Sequence, residues 1–285
     1  MNFGGIEEKY ENLDRAAFVV VPVPYDLTTT YQGGTRKGPS AILEASCNME
    51  LYDEELDAEV YKAGIHTMEP LEAVASGPEG MLGRIEAAVA GVFELGKIPV
   101  MLGGEHSITL GAVRAARKRY PKLSILHLDA HADMRMSYQG TPYSHACIGR
   151  RMKELCPVVQ AGIRSMSVEE AAYLRKSDVP VFSASSIRRD RTWVGKLLRH
   201  LSKDVYITVD LDAFDPSVMP ATGTPEPGGM LWHEVLDVLR EVCRKRRVVG
   251  FDIVELAPIP GMVAPDFLAA RLTYRMMGYL SKKSR

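Results

Sequence analysis

Six short apolar runs rich in β-branched residues alternate along this chain with longer segments of helical periodicity. The runs are residues 16–23, 98–104, 123–130, 157–163, 205–212 and 247–255. Their nearly continuous hydrophobicity is typical of strands in a parallel sheet that is covered on both faces. The helical segments are residues 79–97, 107–119, 167–176, 191–202, 231–245 and 264–282. Because no Pro-, Gly- or Ser-rich linker interrupts the alternation, it predicts one α/β domain with a mainly parallel sheet.

Two serines occupy positions where helix N-caps are expected. Ser107 begins the helical segment that ends at residue 119, and Ser167 begins the one that ends at residue 176. Glu170 follows Ser167 at the spacing of a capping box. We therefore expect both serines to cap helices, with a reciprocal side-chain cap at Ser167.

The charge balance gives no indication of a nucleic-acid or membrane partner. Lys and Arg total 35 and Asp and Glu total 36, so no global field attracts polyanions. The basic run 244–247 falls at the end of a predicted helix, where cations complement the helix dipole. Acidic residues interrupt the N-terminal region, and the apolar stretch 16–23 is too short to cross a bilayer. Together with scattered cysteines that form no CxxC pair, these features predict a cytoplasmic protein.

Three of the predicted strands end in clusters of histidine and aspartate. In an open α/β sheet, ligands bind beyond the carboxyl ends of the strands, so a site is expected at these positions. The clusters are GGEHS with His106, LDAHAD with Asp129, His131 and Asp133, and VDLDAFDP with Asp210, Asp212 and Asp215. A single Asp or His at a strand end is usually a cap or a satisfied polar residue. Three clusters after three predicted strands indicate a functional site.

The residue types and the spacing within these clusters favour a metal site. In extended backbone, residues two apart point to the same side, so the residues of LDAHAD are expected to converge, as are Asp210 and Asp212. Carboxylates crowded inside a protein repel one another unless cations lie among them. Carboxylates and imidazoles without a thiolate favour Mn²⁺ over a cysteine-rich structural zinc site. The sequence therefore predicts a pair of divalent ions, about 3.5–4 Å apart, that activate water.

These clusters, in this order, resemble the signature motifs of the arginase–agmatinase (ureohydrolase) family. The further segments 31–42, 162–170, 221–229 and 251–258 also resemble that family. The resemblance implies a three-layer α/β/α fold around a mainly parallel sheet of about eight strands. It also implies two Mn²⁺ ions per subunit and a homotrimer or homohexamer. We expect a single ureohydrolase domain over residues 1–285, in which residues 1–15 could form an N-terminal arm.

The resemblance implies that six clustered residues are metal ligands, namely His106, Asp129, His131, Asp133, Asp210 and Asp212. One ion is expected to bind His106 and Asp133, and the other His131 and Asp212. Asp129 and Asp210 would bridge the two ions. Asp215 is either an outer residue that orients the third cluster or a turn residue before Pro216.

Four residues are implied in substrate binding and catalysis. Asp133 is expected to carry a proton to the leaving nitrogen, and Glu255 to anchor the guanidinium group through two hydrogen bonds. Thr224 resembles a residue that lines the substrate pocket. His145 resembles the family's proton shuttle and substrate-binding histidine, and as an accessible imidazole it is expected to titrate near neutrality. Some agmatinases place that histidine at a slot that Gln139 occupies here.

Members of the family share a guanidino substrate and differ in what they bind at its other end. Where arginases resemble one another in an Asn and in acidic residues, this chain has Arg135, Ser165 and Ser167. The stretch 133–151 instead resembles prokaryotic agmatinases, so the predicted reaction is agmatine and water to putrescine and urea, a step of polyamine biosynthesis. Met136 departs from that branch, which usually has an acidic residue at this position.

Arg135 leaves the substrate tail open. If its guanidinium faced the pocket it would favour a carboxylate tail, whereas it could equally form a salt bridge at a subunit contact. A guanidinobutyrase or another guanidino-acid hydrolase is therefore the alternative to an agmatinase, and arginase comes third. A single-zinc deacetylase needs paired histidines that this chain lacks, and an inactive binding homologue is expected to have lost metal ligands, all of which are present here.

Overall fold

A parallel sheet of eight strands forms the centre of the computed structural model, which describes residues 1–281. The strands of this part of the chain are β1 (Phe18–Val23), β2 (Tyr52–Asp53), β3 (Ala58–Glu59), β4 (Ile65–Thr67), β5 (Ile98–Gly103), β6 (Leu123–Leu128), β7 (Val158–Ile163), β8 (Val181–Ser183), β9 (Asp204–Asp210) and β10 (Arg247–Val254). Their order in the central sheet is β4-β1-β5-β10-β9-β6-β7-β8, and all neighbouring pairs are parallel. Because β5, β10, β9 and β6 are adjacent, their carboxyl ends meet at one edge of the sheet. The strands β2 and β3 form a separate antiparallel pair.

Helices pack against both faces of the central sheet. They are α1 (Glu8–Glu11), α2 (Gly38–Ser46), α3 (Pro78–Glu94), α4 (Thr109–Arg119), α5 (Ile148–Leu155), α6 (Val168–Lys176), α7 (Ala184–Arg189), α8 (Trp193–Leu198), α9 (Trp232–Lys245) and α10 (Ala264–Ser281). Alternate residues of β1 enter different cores: Phe18 and Val20 pack in a core with α2, α9 and α10, and Val19 and Val21 in one with α3, α4 and α5. The predicted three-layer α/β/α fold is therefore confirmed. Within residues 1–281, no helix combines the length and the apolar character that crossing a membrane requires.

The six predicted strands and six predicted helices are all present, with shifts at their ends. The helix predicted for 191–202 is shortened to α8, and the last one is described as far as Ser281, so its predicted final residue, 282, lies outside the described residues. The prediction missed the short edge strands β4 and β8, the β2–β3 pair and the helices α1, α2, α5 and α7. The missed strands have only two or three residues each, too few to show an alternating pattern.

The two predicted N-caps have different outcomes. Ser167 accepts a hydrogen bond from the Glu170 amide while the Glu170 carboxylate accepts one from the Ser167 amide, which confirms the capping box. Ser107 is not an N-cap, because it lies inside a short 3₁₀ helix (His106–Ile108) that precedes α4. Its hydroxyl donates to the carboxylate of Glu105 instead.

The N-terminal residues pack against the body of the fold. Phe3 is fully buried and its amide donates to the Thr67 hydroxyl, and the Gly4 amide donates to the Ser46 hydroxyl. The division into one ureohydrolase domain with an N-terminal arm stays a prediction.

A close backbone contact joins the loop after β1 to the loop after β5. The Gly104 amide donates to the Val23 carbonyl, and the Glu105 amide donates to the Tyr25 carbonyl. A Cβ atom at Gly104 would lie 1.9 Å from the Tyr25 carbonyl oxygen, so only glycine fits this position without a backbone shift. The contact fixes where His106, the next residue but one, enters the carboxyl edge of the sheet.

We expect Gly104→Ala to destabilise the protein by about 1–3 kcal/mol, because the added methyl group forces the two loops apart. Gly91→Ala is the matched control, since a Cβ atom at this position in α3 meets nothing within 4 Å and alanine stabilises a helix interior by about 0.5–1 kcal/mol relative to glycine. Urea unfolding curves measure both changes. Equal unfolding midpoints for the two variants would contradict the steric argument.

Candidate active site

A cavity of about 280 Å³ opens at the carboxyl edge of the central sheet. Loops that follow β1, β5, β6, β7, β9 and β10 line it, as expected for a parallel α/β sheet. Five of the six predicted metal ligands reach its surface, and the sixth, Asp129, is fully buried beneath it. The four residues predicted for substrate binding and catalysis also line it, namely Asp133, His145, Thr224 and Glu255. The structure therefore brings together every predicted site residue.

The His106 ring is held from behind by a chain of buried hydrogen bonds. Its Nε2 atom lies 2.9 Å from the Thr208 hydroxyl, which in turn donates to Asp252 at 2.6 Å. The Tyr206 hydroxyl donates to the second oxygen of Asp252 at 2.9 Å. Because the only proton of the Thr208 hydroxyl goes to Asp252, Nε2 of His106 must be the protonated nitrogen. In the neutral ring, the form that binds a metal ion, the Nδ1 atom is then left with a free lone pair.

That lone pair faces carboxylate oxygens. The Nδ1 atom of His106 lies 3.1 Å from Asp129 Oδ2, 3.1 Å from Asp210 Oδ2 and 3.7 Å from Asp133 Oδ2. It is buried, and it has no hydrogen-bond partner. An acceptor nitrogen surrounded by acceptor oxygens is repulsive unless a cation lies between them.

His131 and Asp212 form the second half of the cluster. The Nδ1 atom of His131 lies 2.9 Å from Asp212 Oδ2 and 3.6 Å from Asp129 Oδ1. The backbone holds both carboxylates, since Asp212 accepts a hydrogen bond from the Ala130 amide and Asp129 one from the His131 amide. Asp129 therefore lies between the two imidazoles, as a bridging ligand must.

The electrostatics of the cluster fit a cation site. Burial, and then the charge of Asp129, raise the pKa of Asp133 well above its usual range. Burial and the charges of Asp212 and Asp129 do the same to the pKa of Asp210. Burial would also raise the pKa of Asp129, but the neighbouring imidazoles of His106, His127 and His131 hold it well below its usual value. Carboxylate and imidazole donors without a thiolate, around an unpartnered buried nitrogen, fit a site for two Mn²⁺ ions.

The prediction that these side chains converge through alternation in extended backbone is wrong in part. Strand β6 ends at Leu128, so Asp129, His131 and Asp133 do not alternate along an extended strand. Asp133 instead has a positive φ of 53°, and Asp212 lies in a 3₁₀ helix (Leu211–Ala213) that Asp210 caps. The residues converge because the chain turns sharply beyond each strand, and the carboxylates accept hydrogen bonds from the amides of those turns.

His127 is a residue that the sequence analysis missed. Its Nε2 atom lies 2.7 Å from Asp129 Oδ2, and its Nδ1 atom lies 3.1 Å from the side-chain Nε2 atom of Gln160, which also donates to the Ala132 carbonyl. Burial lowers the pKa of His127, so the ring is neutral and donates from Nε2. The available signal was a histidine inside an otherwise apolar strand, two residues before a ligand.

Glu255 lies just beyond β10 and lines the pocket. Its Oε1 atom accepts a hydrogen bond of 2.6 Å from the His106 amide, and its own amide donates to the Gly104 carbonyl. Its φ is +66°, which is strained for a side chain of this size. Burial, and then the charge of Glu105, raise the pKa of Glu255 to about 8. A bound guanidinium group would compensate this carboxylate.

His145 begins a short 3₁₀ helix (His145–Cys147) and lines the pocket. Gln139, the alternative position for this histidine, is exposed in a turn and does not line the pocket. The expectation that His145 titrates near neutrality is not met, because burial, and then the neighbouring His106 and His131, lower the pKa of His145 to about 4. The side chain is partly covered rather than freely accessible.

Thr224 lies in a loop that is tied to the metal cluster by Arg164, another residue that the sequence analysis did not identify. The Arg164 guanidinium donates to the carbonyls of Asp212, Phe214 and Glu226.

Asp215 accepts hydrogen bonds from the Ser217, Gly228 and Gly229 amides. Hydrogen bonds with Ser217, and then with the two glycines, lower the pKa of Asp215 to about 2. Asp215 thus organises turns, which favours the second of its two interpretations.

Arg135 lines the pocket, and its positive charge is paired with a carboxylate. Its guanidinium carbon lies 5.0 Å from the centre of the Tyr138 ring, and its Nε atom lies 3.8 Å from the buried carboxylate of Glu170. This ion pair joins two residues of the same chain. Met136 is 61% exposed and does not line the pocket, so the residue type at this position has no direct contact with the cavity.

Comparisons with known proteins agree with this geometry. Residues 16–278 match the model of a family described as the arginase family. The chain is 42% identical to an N(1)-aminopropylagmatine ureohydrolase from Thermus thermophilus, over 97% of this chain and 93% of that protein. It is 40% identical to an N(1)-aminopropylagmatine ureohydrolase from Synechocystis, over 95% of this chain and 91% of that protein. Its structure resembles an agmatine ureohydrolase of Thermoplasma volcanium, with a TM-score of 0.90, 34% identity and coverage of 100% of this chain and 96% of the other.

We expect Thr208→Val to weaken Mn²⁺ binding by about 10–100-fold, because the His106 ring loses the group that orients it. Thr208→Ser keeps the hydroxyl and is the matched control, with an expected affinity close to that of the unaltered protein. Calorimetric titration with Mn²⁺ measures both, and urea unfolding checks that each variant is folded. If valine and serine variants bound Mn²⁺ equally well, the Thr208 hydroxyl would have no orienting role.

Proposed function

Because this chain belongs to the arginase family, and is thus a ureohydrolase, we propose that it hydrolyses the guanidino group of an agmatine-type amine to urea and the free amine. The observation that carries this proposal is the cluster of two imidazoles and four carboxylates beside Glu255, in a cavity large enough for a small linear substrate. Two Mn²⁺ ions bound by His106, Asp129, His131, Asp133, Asp210 and Asp212 would supply Lewis-acid stabilisation and activate water.

The guanidinium group of the substrate is assigned to Glu255. One of its oxygens is held by the His106 amide, which fixes the carboxylate beside the metal cluster. The planar guanidinium group carries its charge on N–H donors that a carboxylate accepts, so this contact orients the carbon toward the cluster. Thr224 also lines the cavity.

Two groups can handle protons during the reaction. Asp133 lies next to the metal cluster and faces the cavity, where it can carry a proton to the leaving nitrogen. His145 lines the other side of the cavity and can pass a proton to the departing amine. With a pKa of about 4 the His145 ring is unprotonated at neutral pH, and once protonated it releases its proton readily.

The charge of the cavity favours a substrate whose tail is not a carboxylate. Among the described residues that line it, Arg135 is the one lysine or arginine, and Glu170 and Tyr138 already compensate its charge. Ser165 and Ser167 replace acidic residues that bind an α-amino group in the arginase-like pattern, which disfavours arginine. These features support an amine-tailed substrate over guanidinobutyrate or arginine.

Two relatives of this chain are named for a longer amine than agmatine. The proteins at 40% and 42% identity are named for N(1)-aminopropylagmatine, whereas the structural relative named for agmatine is 34% identical. We infer that N(1)-aminopropylagmatine is the preferred substrate and that agmatine, the substrate predicted from the sequence, is the second candidate. A role in polyamine biosynthesis, a homotrimeric or homohexameric state and a cytoplasmic location stay predictions.

We expect urea release to be fastest with N(1)-aminopropylagmatine, slower with agmatine, and slowest with 4-guanidinobutyrate and arginine. The purified, Mn²⁺-loaded protein is assayed with the four substrates at equal concentration, and kcat/KM is compared. The absence of an uncompensated cation from the described lining of the cavity disfavours the two carboxylate-bearing substrates. The relatives named for N(1)-aminopropylagmatine are the reason for placing it before agmatine. Preference for either carboxylate-bearing substrate would overturn the proposed tail specificity.

We expect Glu255→Gln to lower kcat/KM about 100-fold or more, because a neutral amide cannot compensate the guanidinium charge in a buried site. Mn²⁺ content, measured by elemental analysis, should stay unchanged, since Glu255 is not one of the six proposed ligands. Glu94→Gln, on the exposed end of α3, is the control for loss of one carboxylate charge. Activity of Glu255→Gln within about threefold of the control would remove Glu255 from substrate binding.

A further inference from the structure

We propose that Thr28, held by the buried carboxylate of Glu105, is a positioning residue that presents the His145 ring to the substrate cavity with its Nε2 atom unprotonated. Thr28 lies in the loop after β1, and its neighbours Thr29 and Thr30 line the cavity. The inference rests on the proposed function for its role in turnover. The geometry that carries it is a set of hydrogen bonds around one hydroxyl group.

The Thr28 hydroxyl has its proton committed to Glu105. This glutamate is fully buried, and its Oε1 atom lies 2.7 Å from the Thr28 hydroxyl oxygen. Its other oxygen, Oε2, accepts a hydrogen bond of 2.5 Å from the Thr28 amide, and the Ser107 hydroxyl donates to Oε1. Thr28 is therefore fixed through both its backbone and its side chain. Its hydroxyl oxygen can act toward any further neighbour only as an acceptor.

That oxygen contacts His145 at two points. The His145 amide donates to it at 3.1 Å, and the Nδ1 atom of the ring lies 3.3 Å away. If Nδ1 were unprotonated, two acceptor atoms would face each other at this distance, which is unfavourable in a mostly buried site. With the proton on Nδ1, the ring donates to the Thr28 hydroxyl oxygen and no pair of acceptor atoms is left facing each other.

Ser144 provides the alternative partner that the test must exclude. Its hydroxyl oxygen lies 3.4 Å from the same Nδ1 atom, and it accepts a hydrogen bond from the Ala146 amide. A serine hydroxyl can donate or accept, so Ser144 by itself does not choose between the two neutral forms of the ring. Thr28 favours the form protonated at Nδ1, because its own hydroxyl proton is already donated to Glu105.

The consequence is a defined protonation state of the other ring nitrogen, Nε2. Within residues 1–281, no hydrogen-bond partner of His145 Nε2 is present. An unprotonated Nε2 that faces the cavity can accept a proton from solvent and transfer it to the leaving nitrogen of the substrate. Thr28 thus joins the loop after β1 to the segment that carries His145, and both line the same cavity.

A double-mutant cycle tests whether Thr28 acts through His145. We expect Thr28→Val to lower kcat about 10–100-fold with KM changed by less than about threefold, because a misplaced proton donor slows only the chemical step. Thr28→Ser should restore kcat to within about threefold. In the His145→Asn background, Thr28→Val should have no further effect. Additive losses, or failure of serine to rescue, would overturn the proposal.

A second measurement does not depend on turnover. In protein labelled with ¹⁵N-histidine and loaded with diamagnetic Mg²⁺, the imidazole ¹⁵N signals that disappear in His145→Asn belong to His145. We expect these signals to report the proton on Nδ1 in the unaltered protein and in Ser144→Ala, and a shift of the proton toward Nε2 in Thr28→Val. A proton on Nε2 in the unaltered protein, or a change in Ser144→Ala in place of Thr28→Val, would contradict the assignment.

The two measurements separate failure of this inference from failure of the proposed function. If no guanidino substrate released urea, the kinetic cycle could not be measured, and the ¹⁵N signals would still decide the position of the ring proton. If urea were released normally and Thr28→Val left both kcat and the ¹⁵N signals unchanged, the ureohydrolase activity would stand and the role of Thr28 would be refuted.

Discussion

The crowding of carboxylates around two imidazoles is the constraint on which the rest of the site depends. Asp129 is fully buried between His106 and His131, with oxygens 3.1 Å and 3.6 Å from their Nδ1 atoms. Asp210 and Asp212 approach the same imidazoles from the neighbouring strand, β9. Such a cluster is stable only with compensating positive charge. The strand order β5-β10-β9-β6 brings the parts of the cluster that follow β5, β9 and β6 to the same edge of the sheet. Strand β10, between β5 and β9, leads to Glu255.

Polar residues inside the strands supply the second requirement, which is orientation. His127, Thr208 and Asp252 are fully buried within β6, β9 and β10, where apolar residues would otherwise be favoured. Each lies behind the cluster and joins a hydrogen-bonded chain that ends on His106 or Asp129. A buried polar group that is fully satisfied limits its neighbours to one arrangement. The interior of the sheet is thus adapted to the site at its edge.

Much of this could be predicted from the sequence, and the failures have a common cause. The central strands and the longer helices follow from hydrophobic periodicity, and the six proposed ligands from their places after three strands. The periodicity does not define the turns beyond those strands, so the argument from extended backbone at LDAHAD failed. Thr28, Glu105 and Arg164 were missed because the contacts that hold Thr28 against Glu105 and His145, and Arg164 against Asp212 and Glu226, join residues 48 or more apart along the chain. In contrast, His127 and Asp252 interrupt apolar strands, a signal that was readable without the structure.

Backbone strain marks the same residues that the proposed mechanism uses. Four non-glycine residues in the described chain have positive φ, and two of them are Asp133 and Glu255. Such conformations cost about 1–3 kcal/mol each and persist only where the surroundings impose them. The Arg150 amide holds the Asp133 carbonyl, and the Gly104 carbonyl holds the Glu255 amide. Both contacts belong to the framework that also fixes the metal cluster, so a relaxed backbone at either residue would turn its carboxylate away from the cavity. The strain is therefore part of how the fold keeps two carboxylates directed at one small volume.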